Sequence, residues 1–295
     1  MNKKYEQWPF NFGAIHEQNF DKAKIAIVPV PYDGTASYGA NQRSGPYAII
    51  NASRYVDELL DSEGDLIGLK PTDIFTLDEV VVGRDSVKEA IDGIESAVYD
   101  LAVKAGKIPV MLGGEHSITL GAVKAVKKKY KDLSVLQFDA HADLIDEYEG
   151  SKYSHACVMK RIIELGIPTV QVGIRNMNKE IESYLAVNKK QAENIYFAPN
   201  LPSVQKMLKG LTKNVYLTFD LDALDPSIMP AVGTAEPGGF LWDETIKVIK
   251  LISQKVNIVG ADVVELSPIA GFEAPNFLAA KLTYNIIMAI LSGRT

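Results

Sequence analysis

Eight short runs of apolar, largely β-branched residues recur along the chain, and longer stretches with apolar residues at helical spacing lie between them. This alternation constrains the fold more than any other feature. A strand that is apolar throughout must be covered on both faces, and the intervening helices are what cover it. The runs fall at residues 24–30, 73–77, 108–112, 134–138, 169–172, 194–197, 214–219 and 256–265. The helical stretches fall at 46–60, 86–105, 117–129, 153–165, 178–187, 204–209, 242–255 and 274–291. The second of these stops at Gly106, a residue suited to the left-handed backbone that closes a helix. The pattern predicts an α/β fold: a three-layer α/β/α sandwich around a central parallel sheet of about eight strands. No low-complexity linker or internal repeat divides the chain, so residues 1–295 are expected to form a single domain.

Composition narrows the class of partner. With 47% hydrophobic and 23% charged residues, the chain can bury a large core. A net charge of -6 argues against nucleic acid or an anionic membrane, which need a clustered basic surface. The one cysteine, Cys157, allows no internal disulfide, so a reducing, cytoplasmic setting is expected. At a helix start it reads as a small buried side chain. No long apolar run follows Lys3 and Lys4, so no secretory leader is expected. No segment is expected to reach the roughly 18 uncharged apolar residues of a membrane span.

Four of the apolar runs end in residues that bind metals. Gly113-Gly114-Glu115-His116-Ser117 follows the third run, and Asp139-Ala140-His141-Ala142-Asp143 follows the fourth. Asp220-Leu221-Asp222 follows the seventh, and Glu265 closes the eighth. In open α/β sheets ligands bind beyond the carboxyl ends of the strands, so four such ends can meet in one crevice. The spacing favours convergence too. In extended backbone, alternate residues share a face, which sets Asp139, His141 and Asp143 on one side, and Asp220 with Asp222. Four clustered carboxylates without counter-charge repel and raise one another's pKa. Two divalent cations cancel them, and the neutral imidazoles of His116 and His141 complete the shells. A donor set rich in oxygen, with some nitrogen and no sulfur, suits two Mn2+ ions, with Fe2+ or Co2+ as alternatives. Two such ions about 3.5–4 Å apart can hold a bridging hydroxide at neutral pH.

These segments, together with Ser154-His155-Ala156, Asp220-Leu221-Asp222-Ala223-Leu224-Asp225-Pro226 and Glu265-Leu266-Ser267-Pro268, resemble the ureohydrolase family of agmatinases, arginases and their relatives. The resemblance runs from Val30-Pro31-Tyr32-Asp33 to the last helix, with the motifs in family order. It implies one metal held by His116, Asp139, Asp143 and Asp220, and a second held by Asp139, His141, Asp220 and Asp222. It implies Glu265 as the guanidinium-binding carboxylate, His155 as the proton-transferring histidine, and Thr234 beside the substrate. It also implies a homotrimer or homohexamer. The expected reaction is attack by the bridging hydroxide on a guanidinium carbon, with Asp143 passing a proton to the leaving amine. Urea and a primary amine are the products.

The choice of guanidinium rests on the resemblance and on one loop. Residues 145–149 carry Ile145, where arginases place an asparagine, and then Asp146, Glu147 and Glu149. These acids would repel a carboxylate tail and favour an amine. Agmatine, cut to putrescine and urea in polyamine synthesis, is therefore the expected substrate. Arginase activity is the alternative. Guanidinobutyrate and formimidoylglutamate stay open through Lys152 and Arg175, which could meet a carboxylate. A non-catalytic regulator would not need the six ligands and Glu265. Two departures stand in the loop after Pro230: Ala231 where relatives carry glycine, and Ala235 where they carry proline.

Overall fold

Each of the eight apolar runs becomes a strand, and each observed strand lies within two residues of the expected bounds. They are β1 (Ile25–Val30), β2 (Ile74–Thr76), β3 (Ile108–Gly113), β4 (Leu133–Phe138), β5 (Thr169–Ile174), β6 (Ile195–Phe197), β7 (Asn214–Asp220) and β8 (Asn257–Val264). The structure is a computed structural model that describes residues 7–57, 59–60, 66–70, 72–83 and 85–293. The strands form one sheet in the order β2-β1-β3-β8-β7-β4-β5-β6. Every pairing in it is parallel.

Helices cover both faces, as continuous apolar strands require. They are α1 (Gly45–Ser53), α2 (Val87–Val98), α3 (Thr119–Lys129), α4 (Val158–Glu164), α5 (Lys179–Val187), α6 (Lys189–Ala192), α7 (Val204–Leu208), α8 (Trp242–Ser253) and α9 (Ala274–Ser292). Alternate residues of each strand feed two cores. Ile25, Ile27, Leu136 and Phe138 pack with residues of α1, α7, α8 and α9. Ala26, Val28, Val135 and Met111 pack with residues of α2 to α5.

Some boundaries differ for local reasons. The expected helix 46–60 ends at Ser53. The Ser53 hydroxyl bonds back to the Ile50 carbonyl (2.7 Å) and accepts the Gly13 N–H (3.0 Å), an alternative to helix continuation. Residues 59–60 instead pair antiparallel with 66–67; residue 58 lies outside the described residues. Helix α2 continues through a wider turn at Tyr99–Val103 and stops before Gly106, whose φ of 80° is the left-handed value expected of it. Helix α4 starts at Val158 because Ser154 is extended and 155–157 form a tighter turn. The short helix α6 was not expected.

Helix α9 has the length and hydropathy to cross a membrane, with a single charged residue, Lys281. Most of that segment, 61%, is buried against the sheet and α1. Its apolar surface is thereby accounted for as core.

Candidate active site

The sheet order places the ligand-type residues side by side. β3, β8, β7 and β4 are the four central strands, and all end on one edge. His116 leaves β3 in a tight turn, Glu265 follows β8, Asp220 ends β7, and Asp139 follows β4. The chain order reverses direction between these strands, where a parallel sheet opens a crevice.

The side chains converge as expected. His116 Nδ1 lies 3.0 Å from Asp139 Oδ2, 3.1 Å from Asp143 Oδ2 and 3.3 Å from Asp220 Oδ2. His141 Nδ1 lies 2.9 Å from Asp222 Oδ2 and 3.6 Å from Asp139 Oδ1. Two groups of donor atoms could each hold a cation: His116, Asp139 and Asp220, and Asp139, His141 and Asp222. Asp139 belongs to both. Asp143 stands at the His116 end, outside both donor groups.

The geometry at His116 favours a cation there. Its Nε2 meets the Thr218 hydroxyl at 2.9 Å. Its Nδ1 is buried and has no hydrogen-bond partner of good geometry, although three carboxylates surround it. With Nε2–H donating to Thr218, Nδ1 presents a lone pair to oxygens that also carry lone pairs. A positive ion between them resolves that conflict.

The electrostatics agree. Burial and then the Asp139 charge push Asp143 up to about 7. Burial, then Asp222 and Asp139, hold Asp220 well above the usual carboxylate range. Burial would also raise Asp139, but contacts with His116 and His141 hold it low. Burial opposes charge on His141, yet Asp222 and Asp139 push it up to about 12. Such a cluster binds positive charge, whether protons or metal ions.

Buried donors fix the carboxylates. Ala140 N–H donates to Asp222 Oδ1 (2.9 Å), and Asp222 N–H donates to Asp220 Oδ1 (2.9 Å). Gln137 Nε2 donates to Asp139 Oδ2 (2.6 Å). Gln171 Nε2 donates to Gln137 Oε1 (2.5 Å), and Gln191 Nε2 donates to Gln171 Oε1 (2.9 Å). This chain of three amides runs from α6 across β5 and β4 to the carboxylate shared by both groups. It was not expected, although a glutamine inside an otherwise apolar strand is a readable sign of a buried partner.

A cavity of about 280 Å³ opens over the cluster. Glu265, His155 and Thr234 line it together with the ligand-type residues. Glu265 Oε1 accepts the His116 N–H (2.6 Å), which holds the carboxylate at the cavity floor. Burial and the nearby Glu115 charge push Glu265 up to about 8. The outer wall includes Tyr38, Ile145, Tyr148, Asn176, Asn178 and Ile181.

The acidic loop is not arranged as expected. Ile145 and Tyr148 face the cavity, while Asp146, Glu147 and Glu149 do not line it. Asp146 turns to Arg161 (2.6 Å) and Lys152 (3.4 Å) instead. That contact also occupies Lys152. Arg175 is committed as well. Its guanidinium donates to the carbonyls of Gly173, Asp222, Leu224, Glu236 and Pro237. It ties the Thr234 loop to the Asp222 turn. Cys157 is buried beside the Ser154 hydroxyl (3.3 Å), in keeping with a packing role.

Comparison with known proteins agrees with this geometry. A sequence model of the Arginase family matches residues 23–289. The N(1)-aminopropylagmatine ureohydrolase of Synechocystis sp. is 35% identical over 281 residues, covering 91% of this chain and 90% of its own length. The agmatinase of Pyrococcus horikoshii is 31% identical, covering 90% of this chain and 91% of its own. The crystal structure of the agmatine ureohydrolase of Thermoplasma volcanium superposes with a TM-score of 0.79 at 30% identity, over 96% of this chain and 94% of that one. By its family match, its fold and the arrangement of its strand-end residues, this chain belongs to the arginase family.

Proposed function

We propose that the chain is a two-metal ureohydrolase that acts on an amine-tailed guanidinium of the agmatine class, releasing urea and a primary amine. His116, Asp139, Asp143 and Asp220 would hold one divalent cation, and Asp139, His141, Asp220 and Asp222 the other. Manganese is the first choice, with iron or cobalt as alternatives. Bound there, the two ions offset the aspartate charges and supply a water nucleophile that is deprotonated near neutral pH.

The protein's own groups do the rest. Glu265, ionised once cations offset the cluster, would accept N–H groups of the planar guanidinium through charge-assisted hydrogen bonds and set its carbon over the cluster. Asp143, at the His116 end of the cluster, would accept a proton from the nucleophile and pass it to the leaving amine. His155 moves protons between cavity and solvent. Thr234 borders the substrate. Domain organisation over residues 1–295, a homotrimer or homohexamer, and polyamine synthesis in the cytoplasm belong to the same proposal.

One observation carries the choice of tail: among the described residues, no lysine or arginine lines the cavity. Arg175 and Lys152, the two cations that could have met a carboxylate, are bound elsewhere. A carboxylate tail would lose hydration without gaining a partner. The names of the relatives support an amine tail. The Synechocystis name favours a second reading, in which the amine carries an aminopropyl extension.

The test is urea release by manganese-loaded protein from four guanidines: agmatine, N(1)-aminopropylagmatine, arginine and guanidinobutyrate. The amine-tailed pair should exceed the carboxylate-bearing pair in kcat/KM by about a hundredfold, the cost of an unpaired buried polar group. The better of the amine pair fixes the tail length. Preference for arginine would overturn the tail reading and keep the reaction class. No urea from any of the four would overturn the class.

A further inference from the structure

Glu115 is a fully buried carboxylate at the end of β3, and neither group of metal-type donors includes it. The backbone around it is tightly built. Gly114, just before it, passes so close to the Tyr32 carbonyl that an added Cβ would lie 1.8 Å from that oxygen. The loop after β1 is thereby pressed against the loop after β3, and Thr35 comes to rest between Glu115 and His155.

We propose that Thr35 and Glu115 are positioning residues that fix which ring nitrogen of His155 carries the hydrogen. The inference rests on the reading of His155 as the proton-transferring residue. Thr35 gives Glu115 two hydrogen bonds, from its backbone N–H to Oε2 (2.6 Å) and from its hydroxyl to Oε1 (2.6 Å). The Ser117 hydroxyl donates a third (2.5 Å). The Thr35 oxygen then has two lone pairs. One accepts the backbone N–H of His155 at 3.1 Å. The other faces His155 Nδ1 at 3.2 Å.

A hydroxyl has one hydrogen to give. The shorter contact, to Glu115, takes it. Turning it toward Nδ1 would strip a donor from a buried carboxylate and leave two backbone-fixed neighbours unchanged, which is the costlier arrangement. The Thr35 oxygen can therefore only accept from the ring, and Nδ1 carries the hydrogen. Nε2 keeps its lone pair, and the ring lines the cavity with its face set edge-on to Tyr148 at 5.6 Å between centroids. His155 consequently meets the substrate as a proton acceptor. A proton taken up at Nε2 leaves again from Nε2, because Nδ1–H stays on Thr35 throughout. Burial pulls His155 below the usual imidazole range, which keeps the ring neutral before it acts.

The test is a long-range proton–nitrogen correlation spectrum of the full chain loaded with zinc, a diamagnetic ion. The ring is assigned by comparison with His155→Asn. The expected signature near neutral pH is a neutral ring protonated on Nδ1. Thr35→Ser should preserve both signature and rate. Thr35→Val should shift the ring toward the Nε2–H form and lower kcat on the order of tenfold to a hundredfold, part of the range for acid–base catalysis. KM should change by no more than about threefold, and two ions per chain should remain bound. A wild-type ring protonated on Nε2 would overturn the inference, and that reading needs no variant to fold. Loss of activity in Thr35→Val that Thr35→Ser shares would overturn it too. The spectrum involves no substrate, so a failure of urea release in wild type would count against the proposed function alone.

Discussion

Two of the acids central to the site, Asp143 and Glu265, sit at positive φ, 51° and 69°. For a residue with a side chain this region costs on the order of 1 kcal/mol, so it persists only where the surroundings insist on it. They do: Glu265 N–H bonds to the Gly114 carbonyl (2.8 Å), and the Asp143 carbonyl accepts the Lys160 N–H (3.0 Å). Both carboxylates are aimed by the backbone rather than by free rotation. Glu265→Gln should therefore keep two ions per chain and lower kcat/KM for urea release by about 10²–10³-fold, the loss typical of one preorganised electrostatic partner. Kinetics with metal analysis on the same sample check this. Near-wild-type rates would remove Glu265 from the guanidinium. At this scale the sequence named the converging residues well, because ligand types at strand ends are a local signal. It did not show their directions. Asp146 looked like a cavity acid and pairs with Arg161. Arg175 looked like a free cation and is a bracket for carbonyls. Both outcomes depend on which loops lie side by side.

At the scale of elements, apolar runs of four to ten residues located all eight strands, since burial on both faces leaves little freedom in composition. The early end of α1 was not legible, because the Gly13 N–H that helps stop it comes from 40 residues away. The amide chain was missed for a similar reason: a glutamine in an apolar strand signals a buried partner, but which partner is set only once β4 and β5 pair in register. Partners outside a metal's own ligands typically change affinity by about 10–100-fold. Gln137→Leu should accordingly weaken metal binding by about that factor, measured by competition with a chelating dye, while the protein stays folded. Unchanged affinity would reduce the amide chain to packing. The Arg175 bracket belongs to this scale as well. Arg175→Met should destabilise the fold by about 2–3 kcal/mol through unpaired carbonyls and loosen the Thr234 loop. Denaturant unfolding of the metal-loaded chain reads this, and a change within error would show that the loop is held by other contacts.

The whole molecule concentrates its electrostatic strain at one edge of the sheet, and this links stability to pH and metal. Glu265 rises from its ordinary 4.5 to about 8, and Asp143 from 3.8 to about 7. Across those windows the folded chain holds protons that the unfolded chain has released, so stability falls as pH rises. His141, raised from 6.5 to about 12, adds stability that is complete below 6.5 and is lost as pH climbs toward 12. His155, lowered from 6.5 to about 4, acts in the opposite sense but only between those two values. The metal-free chain should therefore melt lower at pH 8 than at pH 6.5. Manganese should raise Tm more at pH 8, because it replaces protons that are no longer available. Thermal melts after thorough chelation check both signs, and a Tm indifferent to chelation would contradict the cation site.

The most direct measurement is a manganese titration of the metal-free chain with urea release from agmatine followed at every point. The account predicts saturation at two ions per chain, with activity appearing as the second ion binds. Saturation at one ion, or two bound ions with no urea, would contradict it.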